Sequence, residues 1–492
     1  MPGPLTGKRR WLRWLLAAAA LAGIASGWLI ETINIAPRLL APYIERRSSG
    51  HHPLIVQTGQ QLGQILRSAD RGARGADGGA PLVPASYPTW IGTGSDSAAT
   101  PAPSDNTSAR IVWVNAAEQA RTAIQNARPG DVITFLPGRY RFYGSAIPAE
   151  ASGRADAPIV VRAAQPGTVT LELATEEGFW IKGAHWQFEN LTIRGICPSD
   201  ADCEHAFHVV ANAHHFVARN NTITDFNAHF KINGVAGRFP DHGQITGNRL
   251  SNSRPRNTER SVTLIDLVAA SAWRIEKNLI ADFVKQDGDQ TSYGVFVKGG
   301  GHGNRISSNV ILCTHRLRNQ PGRQVGASLG GGGTGKKFCR DHKCIVEQED
   351  SVISNNLIAA CADDGIYLNR AARSRVSHNT LLDTAGISIR FPETSADLSG
   401  NLIDGTIRLR DGAVIHDADN QSSWMTSLYL GVHSVRQLFI DAAVLDLHWN
   451  SSPPRRTAAT PAVDEATDLC GSTRPAQPAY GAFEDFSACL QR

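Results

Sequence analysis

The sequence has little net charge and little helical periodicity. Its 49 Lys and Arg nearly balance 45 Asp and Glu, which leaves a formal charge of +4 over 492 residues. The two signs are interspersed, and no basic patch alternates with aromatic residues, which excludes nucleic acid as the partner. A helical pattern is convincing only from Ala116 to Ala127, where small and apolar residues share one face before Pro129-Gly130 stops the helix. Most of the chain is therefore expected to form strands and turns.

Two common ligand motifs are incomplete. Cys339 and Cys344 flank His342, but no second pair at zinc spacing supplies the other ligands. The glycine-rich run that ends in Lys336-Lys337 lacks the Ser or Thr of a phosphate-binding loop, and no helix follows it. We therefore expect no metal at these residues and no nucleotide as a partner. The glycines are expected to let the backbone turn tightly or approach a sugar.

A repeat is what the sequence does contain. A strand-like run, a turn and an Asn followed by a mostly apolar pair recur with 31, 27, 30, 31, 47, 23 and 22 residues between successive Asn. These positions are Asn190, Asn221, Asn248, Asn278, Asn309, Asn356, Asn379 and Asn401. Each repeat holds two or three short strand-like runs, which predicts an all-β fold, a right-handed parallel β-helix with an N-terminal helical cap. Stacked coils would align the Asn side chains into a hydrogen-bonded ladder.

The N-terminus predicts export. Lys8-Arg9-Arg10 precedes the segment Trp11 to Ile30, which is apolar or small except for one arginine. We interpret this segment as a signal anchor, single-pass in a bacterial inner membrane, with the bulk of the chain in the periplasm; the alternative is secretion after signal cleavage. The predicted organisation is a cytoplasmic stub and anchor at 1–30, a juxtamembrane segment and linker at 31–108, the β-helix at 109–415 and a C-terminal cap or tail at 416–492.

Eight cysteines are consistent with an oxidising compartment. The short spacings suggest local bridges, although spacing alone does not determine connectivity. The candidate pairs are Cys197 with Cys203, Cys339 with Cys344, and Cys470 with Cys489. Cys313 and Cys361 follow the recurrent Asn closely, so we expect both inside the solenoid as buried thiols.

The outward residues of one strand per coil form a polar row. Aligning these strands by their apolar residues gives a column that mixes amides, a carboxylate and cations. It reads Asn233, Asp266, Lys298, Gly330, Asn369, Arg390 and Arg410. Such a row suits a polyanionic sugar chain lying across several coils, because Arg binds carboxylates and Asn bonds hydroxyls. We expect substrate contacts from Asn233, Asp266, Asn369, Arg390 and Arg410, together with the neighbouring Lys231.

The first coils also resemble a known family. Ala123-Ile124, Pro129-Gly130-Asp131, Pro137-Gly138-Arg139-Tyr140 and Ala157-Pro158-Ile159, followed by Gly195, are similar to the opening of the chondroitinase B and alginate lyase group of polysaccharide lyases. The resemblance covers roughly residues 116–195. It implies the β-helix fold and β-elimination on a polysaccharide that contains uronic acid.

The resemblance also implies a catalytic lysine, and Lys298 occupies that position. The partner arginine of the group would fall at Gly330, and the acidic calcium ligands would fall near Thr291 and Tyr293. We therefore expect no cofactor, since the calcium ligands of the group are not matched. Arg323 and His302 are candidate substitutes in the catalytic set.

Other functions stay open. The 47-residue interval between Asn309 and Asn356 contains a basic, glycine-rich insertion, which we predict to be a wall of the binding cleft. Asp363-Asp364-Gly365 resembles the paired carboxylates of glycosidases but is interpreted as a turn. The leading hypothesis is a lyase. The alternatives are a non-catalytic carbohydrate-binding or scaffold protein of envelope polysaccharide export, and a β-helix hydrolase or epimerase.

Overall fold

A parallel β-helix forms the body of the protein. The computed structural model describes residues 6–72, 82–83, 91–96, 109–331, 333–457 and 465–490. Each coil contributes one strand to each of three long parallel sheets, and coils stack in chain order. The predicted solenoid is therefore confirmed, with short turns between sheets in place of helices.

The strands of each sheet follow one another along the solenoid axis. Sheet 1 contains Arg110–Val114, Asp131–Phe135, Ile159–Ala163, Trp186–Glu189, Val217–Arg219, Gln244–Thr246, Arg274–Glu276, Arg305–Ser307, Val352–Ser354, Ser374–Ser377, Ser395–Ser399 and Val414–Ala418. Sheet 2 contains Gly138–Gly144, Val169–Thr175, Thr192–Gly195, Thr222–Thr224, Arg249–Ser251, Leu279–Ala281, Val310–Leu312, Leu357–Ala359, Thr380–Leu382, Leu402–Ile403 and Gln421–Ser422. Sheet 3 contains Ile147–Ala149, Glu177–Ile181, His205–Val210, Ala228–Asn233, Val262–Val268, Thr291–Lys298, Arg323–Leu329, Ile366–Asn369, Gly386–Arg390 and Thr406–Arg410.

Smaller elements complete the chain. A three-stranded sheet joins Gly301–His302, Gln348–Glu349 and Ala371–Ala372, and an antiparallel pair in the C-terminal region joins Phe439–Asp441 to Asp446–Trp449. The α-helices are Thr6–Ile33, Pro37–Ser48, Pro53–Arg71, Ala117–Gln125 and Met425–Tyr429. Short 3-10 turns lie at Gly94–Asp96, Asp200–Asp202, Lys336–Phe338, Arg436–Leu438, Ala442–Val444 and Phe486–Cys489.

Alternation along each strand builds the core. In strand Ala228–Asn233, Phe230 and Ile232 are fully buried, whereas Lys231 and Asn233 are half-buried on the outer face. Stacking of coils brings identical residue types together, as in the stacked rings of Phe207 and Phe230, whose centroids lie 5.2 Å apart. Each buried aromatic of this kind contributes about 1.5–3 kcal/mol from burial alone. The core runs the length of the solenoid.

The predicted asparagine ladder is present. The side chain of Asn248 donates to the side-chain oxygen of Asn278 at 3.0 Å, and the backbone N–H of Asn248 donates to the same oxygen at 2.9 Å. The pattern repeats from Asn221 to Asn401 and continues to Asn420, so buried amides bond the adjacent coils. The prediction that Asn190 belongs to the ladder is wrong. Leu191 takes that position instead, and its backbone N–H donates to the side chain of Asn221.

The helical cap is also confirmed. Helix Ala117–Gln125 buries Ala120 and Ile124 against the first coil. These residues belong to the same apolar core as the strands behind them. The helix thereby covers the end of the solenoid, where an open coil would otherwise present apolar side chains to water.

The N-terminal helices pack at the opposite end. Arg38 is buried and donates both to Asp70, at 2.7 Å, and to the carbonyl of Cys361. Arg38 also lies 3.1 Å from Asp383, which ties helix Pro37–Ser48 to the late coils. The predicted juxtamembrane segment is thus largely helical and attached to the solenoid.

The linker predicted within residues 72–108 is described only at Gly72, 82–83 and 91–96; the rest of that prediction lies outside the described residues. The described pieces lie against the solenoid: the N–H of Leu82 donates to His315, that of Gly92 to Lys277, and that of Ser95 to the side chain of Thr222.

Four disulfides use all eight cysteines. The three local pairs suggested by spacing are formed. Cys313 and Cys361 are buried in the solenoid as expected, but they are bonded to each other, so the prediction of two thiols is wrong. Their Cα atoms are 4.8 Å apart because they lie just after paired strands of successive coils, one residue out of register. The long insertion between them hides that adjacency in the sequence.

Candidate functional site

The outer face of sheet 3 carries two polar columns. One column holds His208, Lys231, Asp266, Phe296, Ser328, Tyr367, Ser388 and Arg408. The other holds Val210, Asn233, Val268 and Lys298 in paired register, and then Asn369, Arg390 and Arg410. Side chains two residues apart on a strand share a face, so both columns point away from the core.

Asp266 is in a different column from the one predicted. It pairs with Lys231 and Phe296, two residues away from the column of Asn233 and Lys298. The misalignment has a local cause, because Leu264 and Ile265 are consecutive and both are buried in the core. That pair breaks the strict alternation on which the sequence alignment of this strand depended.

Lys231, Asp266 and Lys298 form a closed ion-pair cluster. The ammonium of Lys231 donates to one oxygen of Asp266, and the ammonium of Lys298 lies 3.2 Å from the other. Burial alone would raise the pKa of Asp266, but the two ammonium groups outweigh it and hold that pKa well below its usual range. Charges in this cluster are therefore largely satisfied by one another.

Aromatic rings connect this cluster to the next coils. The ammonium of Lys298 lies 3.9 Å from the ring centroid of Phe296, and Phe296 stacks on Tyr293 at 4.2 Å. Burial raises the pKa of Tyr293 to about 12, so its phenol stays protonated at neutral pH. The rings of Phe296 and Tyr293 therefore lie between Lys298 and the open space that Tyr293 borders.

That space is a cleft of about 360 Å³ on the outer face of the later coils. Its lining is Tyr293, Arg323, Val325, Gly331, Asp364, Tyr367, Asn369, Arg370, Arg390, Phe391 and Arg410. The four arginines, two tyrosines and one amide of this set are the side chains that bind carboxylates and hydroxyls. We refer to it as the arginine cleft.

The arginines of the cleft are held by flanking groups. The guanidinium of Arg323 donates to Asp363 at 2.5 Å, and that of Arg390 donates to Asp411 while lying 4.5 Å from the ring centroid of Phe391. Arg410 lies one coil beyond Arg390 in paired register. Because each guanidinium has five N–H groups, one carboxylate partner leaves other donors for a ligand.

Asp364 differs from the other carboxyl groups of this face. It is buried, and its oxygen accepts from the hydroxyl of Ser388 at 2.8 Å. Burial and the neighbouring Asp363 carboxylate raise the pKa of Asp364 to about 8. A carboxyl group with such a pKa can exchange a proton near neutral pH, which is what a general acid or base requires. The interpretation of Asp363-Asp364-Gly365 as a turn concealed this role, because it depends on burial.

Tyr367 is the other side chain that sequence reasoning did not select. Its hydroxyl accepts from the amide of Asn369 at 2.8 Å, which leaves the phenolic hydrogen free to donate to a ligand. Tyr367 stands in the column of Lys231 and Asp266, so its outward position two residues before Asn369 was the available signal.

The predicted site residues separate into groups. Arg323, Asn369, Arg390 and Arg410 meet in the arginine cleft, whereas Lys231, Asp266 and Lys298 form the ion-pair cluster. Asn233 is hydrogen-bonded to His208, and its strand lies two coils before the first strand that lines the cleft. His302 is exposed on the small sheet beside Glu349 and lies outside both groups.

The insertion after Asn309 lines one side of the arginine cleft. Arg323–Leu329 adds a strand to sheet 3, and Gly331 borders the cleft. Gly330 has φ +68°, and a Cβ there would lie 1.8 Å from the carbonyl of Asn369, so only glycine allows this close approach of coils. Arg340 returns over the earlier coils and pairs with Asp241 at 2.7 Å.

Calcium does not fit the positions that the resemblance assigned to it. Tyr293 is a neutral phenol stacked on Phe296, and the Thr291 hydroxyl donates to the backbone of Asp289. Calcium prefers several clustered carboxylate and carbonyl oxygens. No step of the chemistry is therefore assigned to calcium.

Comparison with known proteins agrees with the architecture. The model of the family described as right handed beta helix region matches residues 177–423. Among solved structures, pectate lyase Pel9A is 14% identical, over 77% of this chain and 98% of that chain, with a TM-score of 0.51. An alginate lyase from Paenibacillus sp. str. FPU-7 is 14% identical, over 63% and 99%, with a TM-score of 0.35. A rhamnogalacturonan lyase is 12% identical, over 60% and 79%, with a TM-score of 0.40.

No curated protein matches the chain. The likeness to Pel9A shows the fold alone, and the chemistry has to be argued from the side chains of the face.

Proposed function

The chain belongs to the right-handed β-helix family, and from this premise we propose that it binds an acidic polysaccharide on the outer face of sheet 3 and cleaves it by β-elimination. The arginine cleft is the observation that carries this proposal. It gathers Arg323, Arg390 and Arg410 beside a carboxyl group that titrates near neutral pH. Pel9A, whose fold is similar, is a pectate lyase by name.

Cation spacing supports a polymer rather than a single sugar. Arg390 and Arg410 lie on adjacent coils, about 4.8 Å apart along the axis, and Lys298 stands further back on the same face. A chain with one carboxylate per sugar could therefore contact the arginine cleft and the ion-pair cluster together. Asn233 and Lys231 would extend the contacts to earlier coils.

Elimination needs two things of the site. The carboxylate of a uronic acid must be neutralised so that the proton on the adjacent carbon becomes acidic, and a base must take that proton as the bond to the leaving oxygen breaks. We assign neutralisation to Arg390 and Arg410 and proton abstraction to Asp364. The free phenolic hydrogen of Tyr367 is placed to protonate the leaving oxygen.

Lys298 has a different role in this proposal. Its ammonium is paired with Asp266 and packed over Phe296. It would stabilise a substrate carboxylate instead of acting as the base. His302 takes no part, because it lies outside the cleft.

The test is incubation of the full chain with alginate, pectate, chondroitin and dermatan sulfate, following the ultraviolet absorbance of an unsaturated uronic acid product. We expect an increase with at least one polymer, which Asp364→Asn abolishes and Lys298→Ala reduces mainly through KM. Asp397→Asn, an exposed carboxylate on sheet 1, is the matched control and should retain activity. An increase that Asp364→Asn leaves intact would contradict the assignment of the base.

A specific observation favours a second candidate, a non-catalytic polysaccharide-binding protein. Lys298, at the position of the group's catalytic lysine, is paired with Asp266 and does not line the arginine cleft. In that case the polymers would bind with micromolar or tighter affinity, and Arg390→Ala would weaken binding, while no unsaturated product would form. Calorimetry on the same panel separates this outcome from the absence of any interaction.

We further propose that the N-terminal helix anchors the protein in the inner membrane with the solenoid in the periplasm. Trp14–Ile33 is 20 residues long, with a mean hydropathy of 1.6 and none of its hydrophobic window buried. The four disulfides are compatible with a compartment outside the cytoplasm. Membrane fractionation and the mass of the mature chain distinguish an anchor from secretion after cleavage.

A further inference from the structure

We propose that Glu177, His205 and His208 form a binding site for a divalent transition metal ion, with Zn²⁺ as the best match. The three residues lie on the outer face of sheet 3, in the two coils that precede Lys231. Their ligand atoms all lie within 4.8 Å of one another. This site is separate from the arginine cleft, and the proposal does not depend on lyase activity.

Distances among the ligand atoms suit zinc. Nδ1 of His208 is 2.9 Å from Oε1 of Glu177, and Nδ1 of His205 is 3.7 Å from the same oxygen. Two ligand atoms of a tetrahedral Zn²⁺ site lie about 3.3 Å apart when the metal bonds are about 2.0–2.1 Å. The two observed separations fall on either side of that value, so only small rotations of the side chains would be needed.

The other nitrogen of each ring faces an acceptor. Nε2 of His208 lies 2.7 Å from the amide oxygen of Asn233, whose own nitrogen donates to the carbonyl of Gly234. Nε2 of His205 lies 3.6 Å from a carboxylate oxygen of Glu204. With a metal ion bound, each ring would carry its hydrogen on Nε2, towards these acceptors, and would offer the lone pair of Nδ1 to the ion. Acceptors of this kind orient the histidine ligands of metal sites.

Three possible ligand atoms converge here, Nδ1 of His205, Nδ1 of His208 and Oε1 of Glu177. His205 is buried, with 8% of its surface exposed, and its Nδ1 has no hydrogen-bond partner. A buried nitrogen without a partner is costly, and a cation would satisfy it together with the carboxylate of Glu177. Two imidazoles and one carboxylate are a common donor set for Zn²⁺ and leave its fourth position open.

The surrounding charges are compatible with a cation. Lys231 is the nearest ammonium in the same column, and its charge is balanced by Asp266. Glu204 on the far side of His205 is paired with Arg260. The carboxylate of Glu177 therefore adds a negative charge that the neighbouring pairs do not cancel.

A second histidine cluster provides an internal contrast. His185, His214 and His215 also place their nitrogens within 4.8 Å of one another. The rings of His185 and His215 are nearly parallel, with an interplanar angle of 9° and centroids 4.7 Å apart. Lone pairs lie in the ring plane, so those of parallel stacked rings do not converge on one ion. This cluster is the matched control.

The test is zinc binding by the purified full chain in detergent after removal of metals by chelation, using isothermal titration with Zn²⁺ alone and elemental analysis after dialysis. We expect one Zn²⁺ per chain. His208→Ala and Glu177→Gln should each weaken binding more than about 100-fold, and Asn233→Ala about ten-fold, through loss of ring orientation. His214→Ala should leave the affinity unchanged.

Three results would overturn the proposal: no zinc bound by the wild type, unchanged affinity in His208→Ala and Glu177→Gln, or loss of binding in His214→Ala. The first would mean that Glu177 and His208 form only an ion pair. Glu177→Gln preserves side-chain shape, so it remains informative if the histidine variants fail to fold. The visible absorption of Co²⁺ in the wild-type chain provides an independent readout, since four-coordinate nitrogen and oxygen ligation gives a strong band and hexahydrated Co²⁺ a weak one.

Discussion

The two halves of the outer face of sheet 3 use the same residue types in opposite ways. In the earlier coils, Lys231 and Lys298 satisfy a single buried carboxylate, Asp266. In the later coils, Arg390 and Arg410 border an open cleft, and burial and Asp363 raise the pKa of the buried carboxyl group there, Asp364, despite the nearby Arg323 and Arg408. The difference has a local cause. In the earlier coils two ammonium groups pair with one carboxylate and form a closed network. In the later coils the carboxyl groups of Asp363 and Asp364 are adjacent, so one of them retains its proton. Polar columns that look equivalent in sequence can therefore be closed by ion pairs in one half and border an open cleft in the other.

The largest effect is expected from substituting Asp364, the proposed base. Asp364→Asn should lower kcat about 10²–10⁴-fold with little change in KM, because a general base contributes in the transition state. In the wild type, kcat should rise with pH through about 8, as the base form of Asp364 becomes populated. The pH profile on whichever polymer proves to be cleaved is the measurement. A profile that falls through that pH would make Asp364 an acid and favour a hydrolase.

Disrupting the ion-pair cluster of the earlier coils should lower the stability of the protein. Asp266→Ala leaves two ammonium groups without their buried partner, so we expect the free energy of unfolding to fall by about 3–5 kcal/mol. Denaturant unfolding followed by circular dichroism provides the value. Asp156→Ala, an exposed carboxylate that pairs with the exposed Arg154, is the control and should cost less than about 1 kcal/mol. Equal losses would show that the cluster is not structural.

The next effect is expected on polysaccharide binding, when the arginines of the later coils are substituted. Arg390→Ala and Arg410→Ala should each weaken polysaccharide binding about 10–100-fold, since a charge-assisted hydrogen bond contributes about 1.5–3 kcal/mol. Arg274→Ala, an exposed arginine on sheet 1, should have no effect. Calorimetry with the bound polymer measures both. If the two arginine variants bind like the control, the arginine cleft is not the binding site.

A further effect is a pH dependence of stability. The pKa of Asp364 is raised from 3.8 to about 8 in the folded protein, so between these values the native state holds a proton that the unfolded chain releases. Its contribution to stability is thus present below pH 4 and is lost as pH rises, at up to about 1.4 kcal/mol per pH unit. Relative to the wild type, Asp364→Asn should gain stability as pH rises from 4 to 8. Parallel Tm curves for the two proteins would contradict the raised pKa.

The repeat and the cap were predictable because their signals are local. A recurring Asn before an apolar pair indicates coils of one width, and the helix from Ala117 to Gln125 follows from spacing of small residues before Pro129. The two outward columns of sheet 3 were harder to predict from the sequence. Leu264 and Ile265 are both buried, which broke the alternation and moved Asp266 by two residues. Cys313 and Cys361 appeared unpaired because the insertion separates them by 48 positions in the chain.

The sequence by itself determined the solenoid, its capped start, an apolar N-terminal helix and an outer face rich in cations and amides, because each follows from periodicity within a few tens of residues. The tertiary structure decided which of those polar residues meet. It joined Lys231, Asp266 and Lys298, placed Asp364 beside Arg323 and Tyr367, and brought Glu177 to His205 and His208. These are contacts between coils, and their distances and burial set the charge of each group. That is why the chemistry of the face, unlike its fold, could not be derived from spacing along the chain.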